Sequence, residues 1–165
     1  MSNYNKNKGN SYERQLAKHL SNVFQLNFNR VPNSGAFVGG KNIARAEKLS
    51  EKQLLLMSGD IIVPEELSHV DFECKFYKAL SFNSLFDNCE QLNNWLEQAQ
   101  NTIKPLWFLF FKINHKGEFV VFDRKHILLY KDIENFLVYK GKFIVCSANK
   151  FLEKNKEIIL NNQTL

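Results

Sequence analysis

Hydrophobic positions along the chain change period several times, and each change marks an element. In SYERQLAKHLSNVF (11–24), Leu16, Ala17, Leu20 and Phe24 recur at helical spacing behind Ser11, a favourable N-cap residue, so a first amphipathic helix is expected. Residues 1–9 are polar, rich in Asn and Lys, and read as a flexible arm ahead of a single domain spanning 10–165. A short extended NFNRV (27–31) leads into PNSGAFVGGK (32–41), a loop with three glycines, and then into NIARAEKLSEKQLLLM (42–57), helical in part. Further on, SGDIIVPEEL (58–67) holds a short strand broken by Pro64, and HVDFECKFYK (69–78) alternates by residue type, so the two read as adjacent strands. Alternation puts Asp71, Glu73 and Lys75 on one face and Phe72, Cys74 and Phe76 on the other.

Beyond this point the pattern predicts a helix in SLFDNCEQLNNWLEQAQ (84–100) and a strand buried on both faces in KPLWFLFFKI (104–113). That apolar run, with Trp107, Phe108, Phe110 and Phe111, reads as core rather than as a platform for stacking bases. NHKG turns the chain with His115 as a turn residue, EFVVFD returns as a hairpin strand, and DRKHILLYKDIENFL (123–137) reads as a helix. GKFIVCS is a further strand and ANKFLEKNKEIIL (148–160) a terminal helix. The expected class is therefore α/β: a central mixed sheet flanked by helices, in the order helix, three strands, helix, strand, with an extra C-terminal hairpin and helices.

Composition narrows the classes. The 165 residues, 44% hydrophobic and 24% charged, suffice for one sizeable core. A net charge of +5 favours a polyanionic partner. No stretch reaches the roughly 18 apolar residues of a membrane span, and the polar start has no apolar signal region, so a cytoplasmic protein is expected, in a host cell if encoded by a phage. Cys74, Cys89 and Cys146 are too widely spaced for a zinc knuckle and odd in number for a disulfide framework. His19, His69, His115 and His126 show no metal-binding spacing, and no serine-hydrolase, P-loop or dinucleotide motif occurs, so no nucleotide cofactor is expected. Abundant Asn, Lys, Ile and Phe suggest an AT-rich coding sequence of the kind phages carry.

The candidate chemistry lies in Asp60, Glu73 and Lys75, at the ends and centre of the two adjacent strands. A strand-borne Glu-x-Lys by itself is an ordinary solvated face. Preceded by a Gly-Asp step that opens an apolar strand, it instead gathers carboxylates where two strands meet. Glu13 adds a second oddity: at 100° per residue, Leu16, Ala17, Leu20 and Phe24 lie within about 60° of it, so this carboxylate sits on the apolar stripe. It either complements the helix dipole and bends to solvent or points into a polar pocket beneath the helix.

Phosphodiester hydrolysis needs such a set. Carboxylate oxygens hold Mg²⁺, with Mn²⁺ as a substitute, and the ion generates the nucleophile and offsets charge growing in the transition state. Lys75, beside Glu73, can orient the attacking water and stabilise the phosphate, and the Cys74 carbonyl between them can complete the metal shell. Lys41, Arg45, Lys48 and Lys52 in the most basic segment, with Arg30, fit either a clamp on the DNA backbone or a solvated face. The glycine loop beside them offers free backbone amides to a phosphate.

These residues, GD-IIVP followed by ECK behind the leading helix KGNSYERQLAKHL, resemble the PD-(D/E)XK, or restriction-like, nuclease superfamily. Among its members the chain looks most like archaeal-type and phage Holliday junction resolvases. The resemblance implies a metal site of Glu13, Asp60, Glu73 and Lys75. It also implies phosphate contacts from Arg30, Ser34 and Gly35 in RVPNSGAF, and a site-adjacent Gln98 on the helix after the lysine strand, which reads equally as a surface amide of an Asn/Gln-rich helix. It spans roughly residues 8–113 and departs from the family pattern twice: Gly59 stands where many members have proline, and the segment from Val38 to Leu56 is longer than in compact resolvases. By the same resemblance a homodimer acting on four-way or branched DNA is expected. A restriction-type, nicking or flap-cutting enzyme of the same fold, and a catalytically silent DNA-binding module, are the alternatives.

Overall fold

A computed structural model describes residues 3–32, 50, 59–80 and 88–161, with the side chains of the first helix described from Gly9 onward. Helix α1 runs Asn3–Phe24 and is followed by two short strands, β1 (Asn29–Arg30) and β2 (Ile61–Ile62). Then come β3 (Val70–Tyr77), helix α2 (Glu90–Gln100), β4 (Leu106–Ile113), β5 (Gly117–Asp123), β6 (Leu137–Tyr139), β7 (Phe143–Ser147) and helix α3 (Phe151–Asn161). Strands β3 to β7 form one sheet in the order β3-β4-β5-β7-β6, with β3 parallel to β4 and the other neighbours antiparallel. This is the expected mixed sheet with helices on its faces, consistent with a restriction-endonuclease-like fold.

Alternation along each strand sorts the core into two layers. Phe72, Phe108, Phe110, Val120, Phe122 and Ile144 face α1 and α3, meeting Leu16, Leu20, Phe24, Phe151, Leu152 and Ile159. Leu109, Phe111, Val121 and Val145 face the other way, against Leu92, Trp95, Leu96 and Ala99 of α2. Phe108, Phe110 and Phe111 are buried and Trp107 half-buried, so the apolar run is core, as a strand covered on both sides requires. Among the described residues no helix is long and apolar enough to cross a membrane.

Three local expectations change. The first helix starts at Asn3 rather than at Ser11, so residues 3–9, read as an arm, are helical. Once a helix is nucleated each added residue contributes a backbone bond, and a polar extension needs no apolar face. The helix expected over 123–137 is a six-residue 3-10 turn, Arg124–Leu129, and the chain is already in β6 at Leu137. Asp132 and Asn135 adopt left-handed φ of 55° and 51°, and Asn155 of α3 bonds both the N–H and the carbonyl of Lys131 at 2.7 and 3.3 Å, so a side chain replaces the helical partners. Finally, β2 pairs with β1 in a separate two-stranded ladder and meets β3 through the Asp60 N–H, which donates to the Phe72 carbonyl at 3.0 Å. The helix expected within 42–57, and Ser34, Gly35, Lys41, Arg45, Lys48 and Lys52, lie outside the described residues.

Candidate active site

Among the described residues strand β3 is an edge of the large sheet, and that edge carries the candidate site. A residue's N–H and carbonyl point to the same side of a strand, and alternate residues share that side. Phe72 and Cys74 both turn toward Asp60: the Phe72 carbonyl accepts the Asp60 N–H, and the Cys74 N–H donates to Asp60 Oδ2 at 2.8 Å. By the same alternation the Cys74 carbonyl also projects from this edge. The Asp60 side chain thus takes the place of a neighbouring strand's carbonyl, which is why β2 and β3 form no continuous ladder.

The turn that delivers Asp60 requires glycine before it. Gly59 has φ +73°, and a Cβ there would stand 2.8 Å from the Phe72 carbonyl oxygen and 3.0 Å from Asp71 Oδ1. Proline, with φ held near −65°, could not adopt this backbone. The departure from the family pattern at Gly59 therefore has a structural cause.

Asp60, Glu73 and Lys75 come together. Asp60 and Glu73 are buried; the Lys75 ammonium, 19% exposed as a side chain, contacts Glu73 and lies 3.6 Å from Asp60 Oδ2. Burial pushes the Glu73 carboxyl up to about 8, reinforced by the negative charge of Asp60 and only partly opposed by Lys75. Burial disfavours the Lys75 ammonium, but the two carboxylates outweigh this and hold its pKa above the ordinary value.

Glu13 approaches from the other layer. It is 8% exposed, and its Oε2 accepts a bond from Arg30 Nε at 2.5 Å, while Arg30 Nη2 donates to Asn10 Oδ1 at 2.9 Å. The carboxylate on the apolar stripe thus points into a polar pocket and does not bend to solvent. Its partner, Arg30, comes from β1. Burial raises the pKa of the Cys74 thiol first, then the negative charges of Asp60, Glu73 and Glu13. Gln98 is exposed on α2 and lines an open depression with Asn94, Glu97, Gln100 and Asn101.

Sequence reasoning placed Asp71 on the face of Glu73 and Lys75 but assigned it nothing, and passed over Lys104. These two form a buried ion pair, with Lys104 Nζ 3.2 Å from Asp71 Oδ1 and 2.9 Å from the Val70 carbonyl oxygen. Burial lowers the Lys104 pKa, and Asp71 offsets part of that fall. Asn10 is likewise new. A strand face carrying Asp, Glu and Lys at two-residue spacing could have signalled that a further cation was needed.

Among the described residues no group of three or more His, Cys, Asp or Glu side chains stands ready-made for a metal ion. The donors at the β3 edge are nonetheless hard oxygens, two carboxylates and a carbonyl, and burial together with the charge of Asp60 raises the Glu73 pKa. That donor set suits a divalent cation of the Mg²⁺ class.

No curated protein and no solved structure matches the chain. A family model described as "Phage putative PDDEXK endonuclease" matches residues 4–163. That span includes α1, the Gly59–Asp60 turn, β3 with its Glu-Cys-Lys and the remaining described elements, and the chain belongs to this family of PD-(D/E)XK phage endonucleases.

Proposed function

We propose that the chain is a divalent-metal-dependent DNA endonuclease, using Mg²⁺ with Mn²⁺ as a substitute, and that a homodimer of it cuts four-way or otherwise branched DNA. One observation carries the chemistry: two buried carboxylates meet at Lys75, and burial, reinforced by the charge of Asp60, pushes Glu73 up to about 8. A divalent ion held there would offset the charge of the two carboxylates, lower the pKa of water to yield a nucleophile and offset charge growing on the phosphate.

The chain's own groups do the rest. Asp60 and Glu73, with the Cys74 carbonyl, are the metal donors. Asp60 is held for this by the Cys74 N–H, so its carboxylate needs little reorganisation. Lys75 remains cationic beside both carboxylates, where its ammonium can orient the attacking water and stabilise the pentacovalent phosphate. Glu13 assists from α1, and Arg30, fixed by Glu13 and Asn10, meets the backbone phosphate with Ser34 and Gly35. Lys41, Arg45, Lys48 and Lys52 add sequence-independent backbone affinity. Gln98, exposed on α2, is at most a peripheral DNA contact. The junction preference and the dimer rest on the likeness to resolvases.

The test is cleavage of an end-labelled four-way junction beside linear duplex and single strand, with Mg²⁺ or EDTA, by wild type and Lys75→Ala. Paired symmetric nicks near the branch that need both Mg²⁺ and Lys75 support a resolvase. Cutting of linear DNA retains the nuclease and removes the junction. Tight binding with no cutting of any substrate leaves only a DNA-binding module.

A further inference from the structure

We propose that Lys104 and Asp71 form a buried positioning pair that fixes where Asp60 stands, a role that rests on the metal site proposed above. Lys104 belongs to the segment between α2 and β4, and its side chain is wholly buried. An ammonium is costly to bury, and a methionine of similar length would fill the space without that cost. Its retention calls for a purpose beyond packing.

The contacts lead to the site in direct steps. Lys104 Nζ donates to the Val70 carbonyl and to Asp71 Oδ1, at 2.9 and 3.2 Å. The Asp71 carboxylate backs onto Gly59, so closely that a Cβ on that glycine would lie 3.0 Å from Oδ1. Gly59 turns the chain into Asp60, whose N–H bonds the carbonyl of Phe72, the residue next to Asp71, at 3.0 Å. Lys104 therefore anchors the start of β3 and the floor of the Gly59–Asp60 turn at once.

Charge supplies a second reason. Asp71 shares its face of β3 with Glu73 and Lys75, at a spacing of about 6.6 Å per two residues. Lys104 places a cation beside Asp71, while Lys75 stands with Asp60 and Glu73.

The experiment compares full-length wild type with Lys104→Met, Asp71→Asn and the double variant Asp71→Leu/Lys104→Met. Thermal melting, Mn²⁺ binding by calorimetry or electron paramagnetic resonance, and the kcat and KM of DNA cleavage are measured for each. Lys104→Met alone should melt earlier because it removes the buried cation from beside Asp71, and the double variant should recover most of that loss. A purely structural pair would then also recover Mn²⁺ affinity and kcat. A positioning pair would not: the double variant should bind Mn²⁺ about tenfold or more weakly and lose kcat by a similar factor, with KM for DNA within about twofold. A double variant that matches wild type in melting, Mn²⁺ affinity and kcat overturns the role. Should it fail to fold, Asp71→Asn, which keeps the shape, decides the same question: weakened Mn²⁺ binding supports the role and unchanged binding overturns it. A wild type that binds no Mn²⁺ overturns the metal site and this role together, whereas normal wild-type binding with unaffected variants overturns the role alone.

Discussion

Two clusters of acid and lysine meet on β3, and they differ in their access to water. At the inner end Asp71 meets Lys104, and both are buried. At the edge Asp60 and Glu73 both meet Lys75, and the lysine is partly open. The closed pair is buried, so its energetics concern the fold first. In the open group two acids lie together, and burial with the charge of Asp60 raises the pKa of Glu73. Identical residue types thus do different work according to access: a buried pair braces the backbone, and a group partly open at an edge is a place where a cation and an anionic substrate can be received.

The sharpest way to break this contrast is to remove one lysine from each cluster. Lys75→Ala, or Asp60→Asn, should reduce cleavage by at least about a hundredfold while DNA binding persists, as read by gel cleavage and by anisotropy. Lys104→Ala should instead show first in stability, with a loss of about 3–5 kcal/mol in denaturant unfolding, because a buried ion pair is broken. Equal effects of the two substitutions on melting would erase the distinction.

The raised pKa of Glu73 also predicts a pH dependence at the open cluster. Unfolded, Glu73 releases its proton near 4.5; folded and metal-free, near about 8. The stability it contributes is complete below the first value and is lost as pH rises through the second, a change on the order of a few kcal/mol. Metal-free protein in EDTA should therefore become less stable from pH 5 to pH 8, Mg²⁺ should stabilise it most at the upper end, and Glu73→Gln should flatten the slope. A slope unchanged in Glu73→Gln would place the titration elsewhere. Gly59→Ala, which strains the turn between the two clusters, should cost about 1–3 kcal/mol in denaturant unfolding. Smaller again, Arg45→Ala with Lys48→Ala should lessen the salt slope of DNA binding by about 2, measured at several salt concentrations. Gln98→Ala should change cleavage by less than about twofold, in keeping with its exposed place on α2.

Where sequence reasoning succeeded and where it stopped follow from the range of the forces involved. The alternation in VDFECKFY was enough to put Glu73 and Lys75 on one face, and the apolar run at 104–113 was enough to find the central strand, since strand periodicity is a local property. The segment 123–137 misled because its helical spacing was overruled by Asn155, a residue 24 positions away from Lys131. Glu13 was recognisable as out of place on an apolar stripe, but nothing near it in the chain identified Arg30 as its partner, 17 positions on.

By itself, then, the sequence determined the α/β class, the strand that carries the Glu-x-Lys and the family of phage endonucleases to which the chain belongs, because patterning and motif spacing are written in neighbouring residues. Only the tertiary structure decided how the charges pair: Asp60 with the Cys74 amide 14 positions away, and Asp71 with Lys104 at 33. It also explained the glycine before Asp60. Electrostatic partners are chosen by proximity and desolvation, and both exist only once the sheet has formed and closed water out around β3.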